Sequence, residues 1–350
     1  MLVLPFEIWF SIEHMNDIDK LMECFGILTG ILGYGSKLLM LRLSWRSVSS
    51  LVQIIISDYE ATREPALRAA LLKNYKIGTG VTKLLFGTYT SLAFFIPIEN
   101  CIRIARNGYT PSLLYSVPTS YPMIKKTAKN HIMVNFVQLT QVIVAGSGHA
   151  LCDVFFTVLV MHAAFKSLVL RTAIKRYFEV CTRQKKDLKV ISDAMNRVIL
   201  YHREFLKFTQ IFEDAYCYVV FCQIFCITLQ TVGSGYILIL LAEDQKMWSV
   251  EFLKYINFIM VDVFSIMAYC TAGEYYTHQS IKIYEQLCKS SWYDLSISEM
   301  KSVLFLMIHT QKFVAITSGK FKNLQLDCCT SIMKGTYSYL SMFRATRNRD

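Results

Sequence analysis

The chain has 350 residues, 53% of them hydrophobic and 18% charged, with a mean hydropathy of +0.35 and a formal net charge of +11. A soluble domain carries about a quarter charged residues, and several apolar runs here reach the roughly 20 residues that cross a hydrocarbon core, so the composition argues against a soluble globule and for a polytopic helical membrane protein. The basic residues lie beside those runs rather than in one soluble patch, which assigns them to orientation and membrane lipid headgroups and gives no reason for a nucleic-acid partner.

In chain order, Leu2 to Ile12 is apolar but too short to span and contains Glu7. It lacks the basic leader and small-residue cleavage site of a signal peptide, and is expected to be the outer part of a truncated first span, 1–12. A second span is predicted over 18–43, with Asp19, Lys20 and Glu23 at one end and Lys37, Arg42 and Arg46 at the other. The polar, basic stretch 44–76 is expected to be a loop. The third span, 77–98, is expected to stop at Pro97, which lacks an amide proton and clashes with the preceding turn. Beyond it, Pro111, Pro118, Pro122 and Gly108 predict an irregular loop to residue 130. Cys101 has no partner cysteine in that loop, and no Asn-x-Ser/Thr sequon marks a luminal face.

The fourth run, 132–170, is roughly 57 Å long as a helix, beyond membrane thickness, so it is expected to continue into the cytosol. The segment 171–189 holds Arg171, Lys175, Arg176, Arg183, Lys185, Lys186 and Lys189 against Glu179 and Asp187, which makes it cytoplasmic by the positive-inside rule. Ser192 is placed as the N-cap of an amphipathic helix carrying Met195, Val198, Ile199, Phe205, Leu206, Phe208 and Phe212. That helix feeds a fifth span, 215–242. An acidic connection, Glu243, Asp244 and Glu251, leads to a sixth, 252–272. Residues 277–322 read as a cytoplasmic packing unit with an apolar stripe of Met300, Val303, Leu304, Met307 and Ile308, and the last span is expected over 324–343. The predicted fold is an all-α membrane protein, a seven-span helix bundle with a cytoplasmic N-terminus and an extracellular C-terminus. Arg344, Arg347 and Arg349 stand outside as the exception, since earlier charges set orientation.

Enzyme chemistry has no foothold. There is no HExxH, P-loop, GxSxG or CxxC pair, and His131, His149, His162, His202, His278 and His309 are too scattered for a metal site by spacing. No cofactor is implied. Cys217, Cys222 and Cys226 share an apolar helix, where cysteine acts as a small hydrophobe. Ionisable groups inside spans are costly. Asp262, midway along the sixth span, faces either a cavity or a neighbouring helix, and His149 and Asp153, four apart on one face, read as an intrahelical polar pair.

The most specific signal is an ordered series in the last third. It runs through Tyr269-Cys270-Thr271-Ala272-Gly273-Glu274, Ser280, Trp292-Tyr293, the amphipathic segment 300–311 and Ile316-Thr317-Ser318-Gly319-Lys320. It ends in Ile332-Met333-Lys334-Gly335-Thr336-Tyr337-Ser338-Tyr339-Leu340-Ser341-Met342-Phe343-Arg344. This series resembles the insect odorant receptor family, seven-span odour-gated cation channels of the sensory-neuron plasma membrane. The resemblance implies a small volatile odorant as ligand, held in an apolar pocket in the outer half of the bundle. At that depth lie Phe25 and Leu28; Thr88, Tyr89, Leu92 and Phe95; Met133, Phe136, Val137 and Thr140; and Tyr255, Phe258, Ile259 and Asp262.

The resemblance also implies a central pore lined by the last span of four subunits, with Tyr337 in the Thr-Tyr pair, Leu340 as the apolar gate, and Phe343 and Arg344 at the outer mouth. Four arginines round one mouth would repel cations, which favours a hetero-oligomer, a tetramer with the family's co-receptor; a lipid-snorkelling Arg344 is the competing reading. The co-receptor carries a long insertion after the fourth span, and 171–191 is short, so this chain resembles a tuning subunit of the olfactory neuron dendrite. A gustatory receptor of the same superfamily is the alternative, though Met342 stands where those relatives have glutamine. A G-protein-coupled receptor is a further alternative, weakened by the lack of an Asn-Pro-x-x-Tyr motif in the last span.

Overall fold

A computed structural model describes residues 4–107, 117, 119–121, 127–183, 187–246 and 249–347; the side chains of Phe343, Thr346, Arg347 and several residues between 93 and 107 lie outside that description. The described chain is almost wholly helical. Its helices are α1 (Leu4–Glu13), α2 (Ile18–Leu43), α3 (Trp45–Ala61), α4 (Pro65–Asn107), α5 (Ala128–Arg183), α6 (Leu188–Glu243), α7 (Val250–Cys288), α8 (Ile297–Gln311) and α9 (Leu326–Arg347). Among the described residues, four helical stretches are long and apolar enough to cross a membrane: Ile18–Leu43, Lys129–Arg183, Leu188–Glu243 and Val250–Asp294.

Several boundaries differ from those read in the sequence. The stretch 44–76 is not a loop: α3 fills most of it, and α4 begins at Pro65. Leu51 is fully buried, and Val48, Ile54 and Ile55 pack against the main core, so one face of α3 is held by burial despite its polar composition. Pro97 does not stop its helix, which runs on to Asn107; membrane helices tolerate proline where neighbours compensate for the freed carbonyl. The basic segment is helical as far as Arg183, and α6 starts earlier than the Ser192 cap, because Asp187 accepts bonds from the Lys189 and Val190 amides. At 56 residues each, α5 and α6 are roughly 84 Å long.

The packing is built on α6. Gly26 and Gly33 let α2 lie close along it: a Cβ on Gly33 would sit 3.2 Å from Cys226 Cβ, and one on Gly233 would sit 3.4 Å from Gly26 Cα. Helix α5 packs on α4, α6 and α7, while α9 lies on α6 and α7. The central core gathers Phe156, Phe208, Phe212, Tyr216, Tyr269 and Tyr276. A second core joins the ends of α5, α6 and α7 to α8 through Leu170, Tyr177, Phe205, Ile283 and Val303. There α8 buries Val303, Leu306, Met307 and Thr310, and leaves Leu304 and Ile308 exposed, so the apolar stripe expected along it splits between a buried and an open face.

The conspicuous motifs of the last third are the joinery of α9. Thr317–Ser318 pairs with Lys322–Asn323 in a short hairpin whose turn places Gly319 and Lys320 at positive φ. Glu213 of α6 accepts from the Thr317 amide at 3.0 Å and from its hydroxyl, and the Gly319 amide donates to Cys217 O at 3.0 Å. Ser280 Oγ accepts from the Val314 amide, and Glu274 accepts from Leu326 N at the start of α9.

Candidate ligand cavity and exposed helix face

A cavity of about 120 Å³ lies between α2, α4, α5, α6 and α7, toward the connection between α4 and α5. Its walls are Ile27, Thr29 and Gly30 of α2, Tyr89 and Leu92 of α4, and Gln138, Gln141, Val142, Ala145, Gly146 and His149 of α5. Gln223, Cys226, Ile227 and Gln230 of α6 and Phe258, Val261, Asp262 and Ser265 of α7 complete them, and the buried Glu7 of α1 adds a carboxyl to the wall. Val117 covers one side. Its amide donates to Gln138 Oε1 at 3.1 Å, and Gln138 Nε2 donates back to Val117 O at 3.3 Å and to Thr119 Oγ1 at 2.9 Å.

Beneath the cavity is a buried polar cluster. Asp153 Oδ1 accepts from Lys37 Nζ and from the Tyr269 hydroxyl, each at 2.5 Å, and Oδ2 accepts from the Tyr89 hydroxyl at 2.7 Å. Tyr89 also meets Ser265 Oγ at 2.7 Å. Four helices are thereby tied to one buried carboxylate, which satisfies the demand that a charge inside a membrane bundle be paired. His149 does not pair with Asp153 as its spacing suggested; its ring stacks on Tyr89 and its Nε2 faces Gly30 O at 3.4 Å. The two side chains diverge because each finds a partner on another helix.

Of the residues expected at the ligand site, Tyr89, Leu92, Phe258 and Asp262 line the cavity. Asp262 both faces it and accepts from Thr231 Oγ1 at 3.1 Å. Phe25 instead lines a separate groove of about 700 Å³ between α2, α6 and α9. Leu28, Thr88, Phe95 and Ile259 are half-buried away from the cavity, and Tyr255 is packed among Tyr236, Ile237 and Leu241. Met133, Phe136, Val137 and Thr140 all stand exposed on the outer face of α5. The cavity takes the opposite face, Gln138, Gln141, Ala145 and His149. In a lipid-facing helix the apolar side turns outward and the sparse polar residues turn in. The glutamines recurring near helical spacing were the available signal.

Helix α9 has a different character from the others. Asp327, Thr330, Lys334, Tyr337, Ser341 and Arg344 follow one another at helical spacing and all are exposed, Tyr337 at 74%. Thr336 is buried. Leu340 is half-buried at the edge of this stripe, against Gly235 of α6, where an added Cβ would sit 2.8 Å from Leu340 Cδ1. Phe343 falls outside the described side chains.

The fold recurs among known proteins. The chain superposes on the insect olfactory receptor OR5 from Machilis hrabei in complex with eugenol with a TM-score of 0.74 at 15% identity, covering 99% of this chain and 88% of that one. A second structure of that receptor gives 0.71 at 11% identity, covering 98% and 85%. Odorant receptor 46a, isoform A, of Drosophila melanogaster is 23% identical over 158 residues, a stretch that is 44% of this chain and 40% of that receptor. The 7tm Odorant receptor family model matches residues 17–337, nearly the full length of a chain whose fold and apolar helices are those of a multi-pass membrane protein, and this chain therefore belongs to that family.

Proposed function

We propose that this chain is an odorant receptor acting as the ligand-binding, tuning subunit of a heteromeric, tetrameric cation channel with the family's co-receptor. Its place is the plasma membrane of olfactory neuron dendrites, with a cytoplasmic N-terminus and an extracellular C-terminus. The observation that carries the channel reading is the polar stripe of α9. Hydroxyls and charges turned to lipid are costly, and the cost disappears if copies of α9 surround a water-filled path. The cavity among α2, α4, α5, α6 and α7, apolar over most of its wall with a few convergent polar groups, supplies the candidate odorant site.

On this reading Tyr337, Ser341 and Arg344 face the conduction path, Phe343 stands at its outer mouth, and Leu340 forms the apolar constriction. A part-turn of α9 exchanges Leu340's contact with Gly235 for one with the axis, and an apolar ring there closes the pore by dewetting. The exposed Leu304 and Ile308 of α8 are the surface through which subunits meet. A single Arg344 among four subunits is compatible with cation flow, which favours the heteromer.

The test is whole-cell current from cells expressing this chain with and without an insect co-receptor, under a panel of volatile odorants and with G-protein signalling blocked. The expected result is a fast cation current that needs both subunits and changes permeation on substitution of Leu340 or Arg344. Surface-expressed protein that yields no current, or a response lost with G-protein block, overturns the reading.

A further inference from the structure

The cavity holds more hydrogen-bonding capacity than the protein itself uses. Glu7 is fully buried at its wall, and neither carboxyl oxygen has a protein partner. Gln223, 2% exposed, lines the same space with Oε1 unpartnered. His149 adds a third group. Its Nε2 faces a carbonyl oxygen, which can only accept, so the ring proton sits on Nε2 and the unpartnered, buried Nδ1 is left as an acceptor. The buried atoms left without a protein partner on these walls, Glu7 Oε1 and Oε2, Gln223 Oε1 and His149 Nδ1, can thus all accept a hydrogen bond. A second carboxyl, Asp262, lines the cavity with one bond from Thr231.

No lysine or arginine is among the described residues lining the cavity, and the buried Lys37 beneath it is taken by Asp153. A buried acceptor left without a donor is unfavourable, and a carboxyl more so. Water can donate to these acceptors in the empty cavity, so a ligand that displaces it must bring donors of its own. The remaining wall, Ile27, Leu92, Val142 and Phe258, suits a hydrocarbon body. A cavity of about 150 Å³ holds benzene, so this one takes a ligand of about one ring.

We infer that the cavity takes a small amine, whose N–H groups donate to Glu7 and to Gln223 or His149 while its hydrocarbon part packs on the apolar wall. An alcohol offers one donor and a hydrocarbon none, so neither satisfies these walls. The assignment rests on the reading of this cavity as the odour site, but it concerns what binds and not what binding opens.

The test is equilibrium binding of cyclopentylamine, cyclopentanol and cyclopentane, which share one small ring and are no larger than about benzene's size, to the purified full chain in detergent. The expected order is amine tighter than alcohol and cyclopentane by about tenfold or more. Glu7→Gln should cut amine affinity by about tenfold and leave cyclopentane within about twofold, showing the cavity intact. Gln223→Leu, a near-isosteric change on a different helix, should narrow the amine preference as well should Glu7→Gln not fold. Three ligands bound alike, none bound, or a variant that weakens all three equally would overturn the amine assignment. Currents recorded with the co-receptor separate the two readings. Amine binding without current overturns the channel and leaves the ligand class standing; currents from neutral odorants with no amine preference do the reverse.

Discussion

Lys37 Nζ lies 2.5 Å from Asp153 Oδ1 with the two side chains only 0% and 3% exposed, a pair 116 residues apart in sequence that ties α2 to α5 in the middle of the bundle. Removing one partner leaves the other charge buried, which costs roughly 3–5 kcal/mol, whereas replacing both is far milder. Lys37→Met and Asp153→Asn are each expected to abolish most surface expression, and the double variant to recover a substantial part of it. Surface biotinylation measures this. Singles that express at wild-type level would show that the pair carries no structural weight.

Gly235 is the seat of Leu340, and an alanine there would bring a methyl to 2.8 Å from Leu340 Cδ1 and 2.9 Å from Cδ2. Leucine can rotate, so the expected cost is at the low end of the roughly 1–3 kcal/mol of overpacking, and the chain still folds. The displaced Leu340 shifts the resting position of α9. Gly235→Ala is therefore expected to change basal current in the absence of odorant while surface level stays near wild type. Unchanged basal current at equal expression counts against coupling between this contact and the pore.

Asp58 of α3 binds His162 Nε2 at 2.8 Å and Lys166 Nζ at 2.7 Å. Burial pushes its carboxyl up, but the hydrogen bonds from His162 and Lys166 outweigh that and hold it below the ordinary 3.8. A depressed folded-state value means the stabilisation is present in full above 3.8 and is lost as pH falls through the lower folded value. The gap in Tm between wild type and Asp58→Asn in detergent is thus expected to be constant from about pH 7 to 5 and to close below about 4. A gap that closes near neutral pH would assign the effect to His162 instead.

The long apolar runs announced α2, α5, α6 and α7 in the sequence, because crossing a membrane needs length and apolarity that a single chain displays. The caps did not: Asp187 outcompetes Ser192 at the start of α6 through two amide bonds that depend on where α5 ends. Helix α3 was hidden by composition, since its polar face outweighs the one buried row around Leu51. The polar cluster was half legible. Asp153 and His149 stand out in an apolar run, but their partners Lys37, Tyr269 and Gly30 are set by tertiary packing alone.

The same logic decides the last prediction, which concerns the two faces of α5. Apolar periodicity marks the core in a soluble protein, but between lipid and a polar-lined cavity it marks the outside. Phe136 is 69% exposed, and two residues on, Gln138 is 1% exposed and bonded to the Val117 cover. Phe136→Ala and Met133→Ala remove side chains that touch little protein, so ligand sensitivity is expected to stay within about twofold, the scale of ordinary surface changes. Ala145→Phe puts a ring into a cavity of about 120 Å³ and is expected to raise the half-maximal ligand concentration roughly tenfold or more, the equivalent of about 1.4 kcal/mol. Gln138→Ala loosens the cover and should shorten ligand residence without blocking entry. Concentration–response curves and washout times for the four variants, at matched surface expression, separate the faces. If Phe136→Ala shifts sensitivity as far as Ala145→Phe, the ligand lies on the outer face of α5 and the cavity is not its site.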